Sequence, residues 1–189
     1  MEKPACSLDY ENYAKKMLSP PMFNFINGAS HVQDSDDFFK IQLKLRGMAN
    51  LKYFTDPIST HILGAKVNSP IMFGPFPHQG MVHKDGELAS AVAAAELKQL
   101  FVLSSESTFS IEEVVAVTKG RGPMMFEIDV RLPDAVIYDL IKRVAAHDCF
   151  VGIVINAQFI SNRITENEWK NDFIIPPFLK AGSLKKYKD

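Results

Sequence analysis

"MMFEIDVRLPDAVIYDLIKRVAAHDCFVGIVINA", residues 124–157, decides how the rest of the chain is read. It opens on an apolar run, "MMFEIDV" (124–130), passes through a helical stretch with Pro133 early and Lys142 and Arg143 late, and closes on a second apolar run, "VGIVINA" (151–157). Proline suits a first helical turn, whose N–H groups have no intrahelical partner, and cations suit the last turn, where carbonyl ends collect. Two strands joined through a helix lie parallel, since an antiparallel pair needs only a tight turn. Runs that stay apolar instead of alternating belong to a sheet covered on both faces or to a barrel wall.

The same unit recurs outward. "IMFGP" (71–75) and "LFVLSS" (100–105) are further short apolar runs, and the four are spaced by roughly 25–30 residues, the length of one strand-plus-helix unit. Between them lie "GELASAVAAAELKQ", whose small residues predict close packing on the sheet, and "SIEEVVAVT", where Ser110 and Glu113 form a candidate capping box. Four such repeats make either a small open sheet or half of an eight-stranded barrel. Upstream, residues 9–46 read as helical: "YENYAKKML" stops at Ser19-Pro20-Pro21, "MFNFING" follows, and "SDDFFKIQLKL" has an Asp-rich first turn. The expected organisation is a helical N-terminal cap and lead-in over 1–69 and a partial barrel over 70–189, together one structural domain.

Composition narrows the function. At 189 residues, with 47% hydrophobic and 23% charged residues, the chain suits a globular core. A formal net charge of −1 gives no field for nucleic acid, and Lys185, Lys186 and Lys188 read as a solvated end. No apolar run approaches the roughly 18 residues of a membrane span, and the charged opening "MEKPACSLDYENYAKK" is unlike a secretory leader, so an intracellular protein is expected. Cys6 and Cys149 lack metal-type spacing and read as free thiols, Cys149 in the core.

Several tempting residues have plain readings. His78 and His83 flank a turn without a ligand set beside them, so no metal site is expected. Asp36-Asp37 and Glu112-Glu113 read as first-turn charges, because helical neighbours diverge by about 100° and do not face each other. Ser104-Ser105 has no recognisable base beside it, and Trp169 reads as a packing residue.

Collinear motifs carry a resemblance. "FNFINGA", "STHILG", "SPIMFGPF", "MVHKDGE", "LSSESTFSIEEV", "RLPDAV" and "NDFIIPPFL" together resemble the FMN-dependent α-hydroxy-acid oxidase and dehydrogenase family, in its order and roughly at its spacing. The resemblance implies an α/β fold of the (β/α)8 TIM-barrel family, here about the first four βα units, with FMN over the C-terminal strand ends. It corresponds to the family's N-terminal half; the lysine facing the flavin, the catalytic histidine, the neighbouring arginine and the phosphate loops belong to the other half.

Matched residue by residue, the family's first-strand turn becomes Gly74-Pro75-Phe76-Pro77, with flavin-side carbonyls kept and a bulky ring added. Ser104 matches the family serine, and Glu127 stands where a glutamine both donates to a flavin carbonyl and accepts from its ring N–H. An ionised carboxylate accepts but repels the carbonyl, unless burial keeps it protonated. On the substrate side, Phe25 stands for a tyrosine, Asp129 puts a negative charge in place of a second tyrosine, and Ile155 and Ala157 replace the threonine and aspartate of the family's Thr-Val-Asp. Arg163 matches the first of two arginines and Ile164 the second, substrate-binding one; a one-residue register shift would make Arg163 the binding arginine.

The resemblance thus implies an FMN-linked oxidase acting on 2-hydroxy acids, with its site residues substituted and little or no turnover expected from this chain by itself. Partners implied are a second copy or a complementary half-barrel, and the location cytoplasmic, or peroxisomal by family analogy although "KKYKD" is not a Ser-Lys-Leu address. Two other readings stay open: a non-catalytic half-barrel that serves as an interaction module, and a truncated product without a stable fold.

Overall fold

The computed structural model describes residues 4–28, 58–156, 174–176 and 179–187. Its contacts divide the chain into residues 1–54 with 161–175 and residues 55–160 with 176–189. In the first unit, α1 (Ser7–Met17) begins where the Asp9 carboxylate accepts from the backbone N–H groups of Ala5 (2.9 Å) and Cys6 (3.2 Å), bonds that hold its carboxyl below the usual range. Lys15 and Lys16 occupy its last turn, and α2 (Pro20–Gly28) starts on two prolines. The Asp-rich helix expected within 36–46 lies outside the described residues.

The second unit begins with a hairpin that the sequence reading passed over as lead-in. β1 (Thr60–Ile62) and β2 (Ala65–Val67) pair antiparallel around Leu63 and Gly64, whose φ of 47° and 82° match the two-residue turn that follows strand twist. The parallel sheet is β3 (Phe101–Ser104), β4 (Met124–Asp129) and β5 (Phe150–Asn156), with β4 in the middle. Helices α3 (Gly86–Leu97), α4 (Ile111–Thr118) and α5 (Asp134–Ala145) alternate with these strands. The expected strand at 71–75 is corrected to a single bridge, Phe73 to Phe101, held by Phe73 N–H to Leu100 O and Val102 N–H to Phe73 O, both 2.9 Å. Pro70 and Pro75 bracket it, and proline cannot donate to a ladder.

Alternation sorts the strand residues onto two faces, both apolar over most of their length, which is why the sequence showed nearly continuous runs. Phe101, Leu103, Met124, Phe126 and Ile128 pack with Ala91, Ala94, Ile111, Val114, Leu140 and Val144 of the helices. On the opposite face Val102 joins Leu100 and Val67, with Ile62, Met125, Val151 and Val154 against them. The hairpin therefore covers the lower part of that inner face. Small residues on α3 do lie against the sheet, Cys149 is half-buried beside the core, and Ser110 caps α4 by accepting from Glu113 N–H at 3.3 Å while the Glu113 carboxylate accepts from Ser110 N–H at 2.8 Å.

At the lysine-rich end, Lys185 and Lys186 are exposed as expected, Lys188 lies outside the described residues, and the turn that carries them is docked through its other residues. Gly182–Tyr187 form a 3-10 turn whose Ser183 is fully buried and whose Oγ accepts from Ile111 N–H at 3.1 Å. Gly182 N–H donates to Ser107 O at 2.8 Å, and the Asp139 carboxylate accepts from Tyr187 O–H and pairs with Lys186 at 2.6 Å. Arg143 joins the three elements: its guanidinium forks onto Glu112 of α4 with two 2.7 Å bonds and reaches Ser183 O at 2.7 Å.

Candidate functional site

Parallel β register places the polar residues at the C-terminal strand ends. On β3 and β4, Ser104 stands beside Glu127; on β4 and β5, Asp129 stands beside Asn156, and all four belong to the inner face by alternation. Glu127 is 8% exposed, and each of its carboxylate oxygens accepts from the protein: Ser104 O–H donates to Oε2 at 2.5 Å and Asn156 Nδ2 donates to Oε1 at 2.6 Å. Ser104 Oγ in turn accepts from Glu106 N–H at 3.2 Å. Ser104 is thus a tied hydroxyl within a Ser–Glu–Asn set.

Asp129 is not a bare charge. Arg131 N–H donates to Oδ1 at 2.8 Å, and its guanidinium reaches both carboxylate oxygens, Nε to Oδ1 at 3.0 Å and to Oδ2 at 2.8 Å, and Nη2 to Oδ2. Those guanidinium bonds, ahead of the backbone bond, hold the Asp129 carboxyl below its usual range against the opposing effect of burial. The negative charge expected from sequence therefore arrives with its counter-ion two residues on.

The turn that carries Gly74, Pro75 and Phe76 is exposed, with the Phe76 ring at 43%. Pro75 and Pro77 carry no N–H, so Phe76 is the one backbone donor among residues 75–77, and its carbonyl accepts from Gln79 Nε2 at 3.2 Å. His78 takes the left-handed region at φ 53° and donates its N–H to Glu106 O at 3.3 Å, while His83 Nδ1 accepts from Asp85 N–H at 3.2 Å. Among the described residues no three His, Cys, Asp or Glu side chains gather as a metal would need. Phe25 lies half-buried in α2 of the other unit; Ala157, Arg163, Ile164 and Trp169 lie outside the described residues.

Ile155 pairs with Ile128, which belongs to the helix-side core, and is 70% exposed; Val154 and Asn156 take the inner face. Sequence reasoning missed Asn156 and Arg131 as site residues. The signal for Asn156 was available: counting by twos from Val154 brings it beside the row of Glu127 and Asp129.

Parallel strands crossed over by helices, with polar side chains gathered at the strands' C-terminal ends, place the chain in the α/β class to which (β/α) barrels belong. Residues 14–188 match the family model described as FMN-dependent dehydrogenase, and the chain belongs to that family. It is 29% identical to an L-lactate oxidase of Nostoc sp., over 97% of this chain and 52% of that protein, and 30% identical to a glycolate oxidase of Spinacia oleracea, over 90% and 46%. Among solved structures, an active chimera of (S)-mandelate dehydrogenase superposes with a TM-score of 0.80 at 23% identity, covering 96% of this chain and 51% of that one. A mandelate oxidase solved with an FMN adduct gives 0.78 at 25% identity, over 93% and 53%. The chain thus spans about half the length of the relatives it matches, and its fold corresponds to half of a TIM barrel of the hydroxy-acid oxidase type.

A flavin presents a carbonyl, N–H, carbonyl edge, which asks its site for donors on both sides of an acceptor. Glu127, as a carboxylate, offers acceptors alone, and the hydroxyl hydrogen of Ser104 is directed at Glu127. The polar set at these strand ends does not fit that edge in its ionised form.

Proposed function

We propose that this chain is the N-terminal half of an FMN-dependent 2-hydroxy-acid oxidase barrel that has little or no turnover by itself and holds flavin weakly. The observation that carries this reading is Glu127, whose carboxylate is closed by Ser104 and Asn156 at the point where the family resemblance puts the flavin edge. Gly74, Pro75, Phe76 and Ser104 are the remaining flavin-side groups in this reading, and Phe25, Asp129 and Arg163 the substrate-side ones. The inward facing of Val154 and Asn156 supports the shifted register, in which Arg163 takes the place of the carboxylate-binding arginine. A complementary half-barrel, from a second copy or a longer relative, completes the site, in an intracellular setting.

The test is a titration of the purified, monodisperse protein with FMN, followed by quenching of flavin fluorescence, for the natural chain and for Glu127→Gln. A glutamine keeps the side-chain length and supplies both a donor and an acceptor. One hydrogen bond gained and one repulsion removed predict binding at least about tenfold tighter in the variant. Micromolar or tighter binding by the natural chain, or equal behaviour of the two proteins, contradicts the reading.

A further inference from the structure

Among the described residues of the second unit, Glu87 is the most buried acid that the site above does not use. It stands in the first turn of α3 at 1% exposure. Its Oε1 accepts two backbone N–H groups, Gln79 and Thr108, each at 2.9 Å, while its Oε2 meets no hydrogen-bond partner. Gln79 belongs to the loop that follows Phe73 and carries Gly74, Pro75 and Phe76; Thr108 belongs to the loop that follows β3 and Ser104. One carboxylate oxygen therefore joins two strand-end loops that the chain connects only through a whole helix.

We infer that Glu87 is a positioning residue: its carboxylate fastens these two loops together and sets where the groups at their tips lie relative to each other. Other contacts converge on the same seam. Gly80 N–H donates to Thr108 Oγ1 at 3.0 Å, and a Cβ on Gly80 would fall 2.6 Å from Thr108 Cγ2, so the loops meet at near-backbone distance. His78 N–H reaches across to Glu106 O. On the other side, the Gln79 amide accepts from Ser90 O–H at 2.6 Å and donates to Phe76 O, carrying the fastening to the turn tip. Removing Glu87 leaves two interior N–H groups without an acceptor, and a loop in that state opens to find water.

An acid in a first helical turn also favours its own helix through the peptide dipoles. That role would change the stability of α3 and leave the two loop amides alone, which separates the readings. The loops' bearing on a flavin rests on the function proposed above; the fastening does not, and its test contains no flavin.

The experiment is amide hydrogen exchange read by NMR on the full chain, with Glu87→Leu and Glu87→Gln. In E87L the Gln79 and Thr108 amides should exchange at least about tenfold faster while Leu103 and Phe126 in the core keep their protection. In E87Q, whose amide oxygen still accepts, both loop amides should stay within about threefold of the natural chain. In the natural chain itself, which needs no variant to fold, the two amides should open with one shared dependence on denaturant, below that of the core. Independent opening of Gln79 and Thr108, unchanged exchange in E87L, equal acceleration of loop and core, or an E87Q as disruptive as E87L overturns the inference.

Discussion

Asp129 and Arg131 stand two residues apart at the end of β4, the acid almost covered and the guanidinium 44% exposed. Their hydrogen bonds pull the carboxyl below its ordinary range, so in the folded protein it stays ionised to lower pH than in the unfolded chain. Such a group adds stability above its unfolded pKa, near 3.9, and that contribution is lost as the pH falls through the lower folded value. Arg131→Met should therefore lose about 1–3 kcal/mol at neutral pH, where it strands a covered carboxylate, and the loss should shrink below about pH 4. Urea unfolding of both proteins from pH 7 to pH 2 checks this; a difference that stays constant with pH contradicts it. At this scale Ser104, Glu127 and Asp129 were named through the family resemblance, and the strand register puts them on one face. The sequence did not show what each side chain holds. Arg131 lies two residues past Asp129 in a turn, and that a guanidinium folds back there follows from turn geometry, not from pattern.

At the scale of elements, α4, α5 and the terminal 3-10 turn meet at Arg143. Its side chain is 16% exposed, while its partner Glu112 is half exposed, so the arginine supplies the buried part of the contact. Arg143→Met should destabilise by about 2 kcal/mol, because two bonds to the Glu112 carboxylate and one to the Ser183 carbonyl lose their donor. Glu112→Gln should cost under about 1 kcal/mol, since that end faces water. Thermal unfolding of the two single variants and the double variant measures the coupling; equal costs for both single changes contradict this assignment. The helices themselves were legible, because caps and end charges are local: Ser110 with Glu113, Pro133, Lys142 with Arg143. The elements at 60–67 and 71–75 were less so. A three-residue strand has too few residues to show a period, and three prolines between 70 and 77 break a ladder that the apolar letters suggest.

At the scale of the whole molecule, four recurrences of one unit left an open sheet or half a barrel, the family resemblance chose the half-barrel, and the three described parallel strands with their crossovers agree with it. The docked end at 179–187 did not follow. Its partners lie at Ser107, Ile111, Asp139 and Arg143, and contacts at such separation leave no periodic trace in the chain. Gly182 marks how close the approach is: a Cβ there would fall 2.4 Å from Ser110 N and 2.7 Å from Thr108 O, both backbone atoms that cannot swing aside. Gly182→Ala should cost about 3 kcal/mol or more, and should raise the exchange rate of the Ile111 amide as Ser183 withdraws. A variant of natural stability with a protected Ile111 amide contradicts that view.

The same docked turn bears on how the chain comes off the ribosome. The Ile111 amide, at the start of α4, waits for a serine hydroxyl encoded 72 residues later. At roughly 5–20 residues per second, that is a delay of about 4–14 s in which the nascent helix has its own cap at Ser110 but not its outer fastening. During synthesis the strands and their crossovers must hold without that end, and a chaperone that binds extended apolar segments has that interval in which to find them.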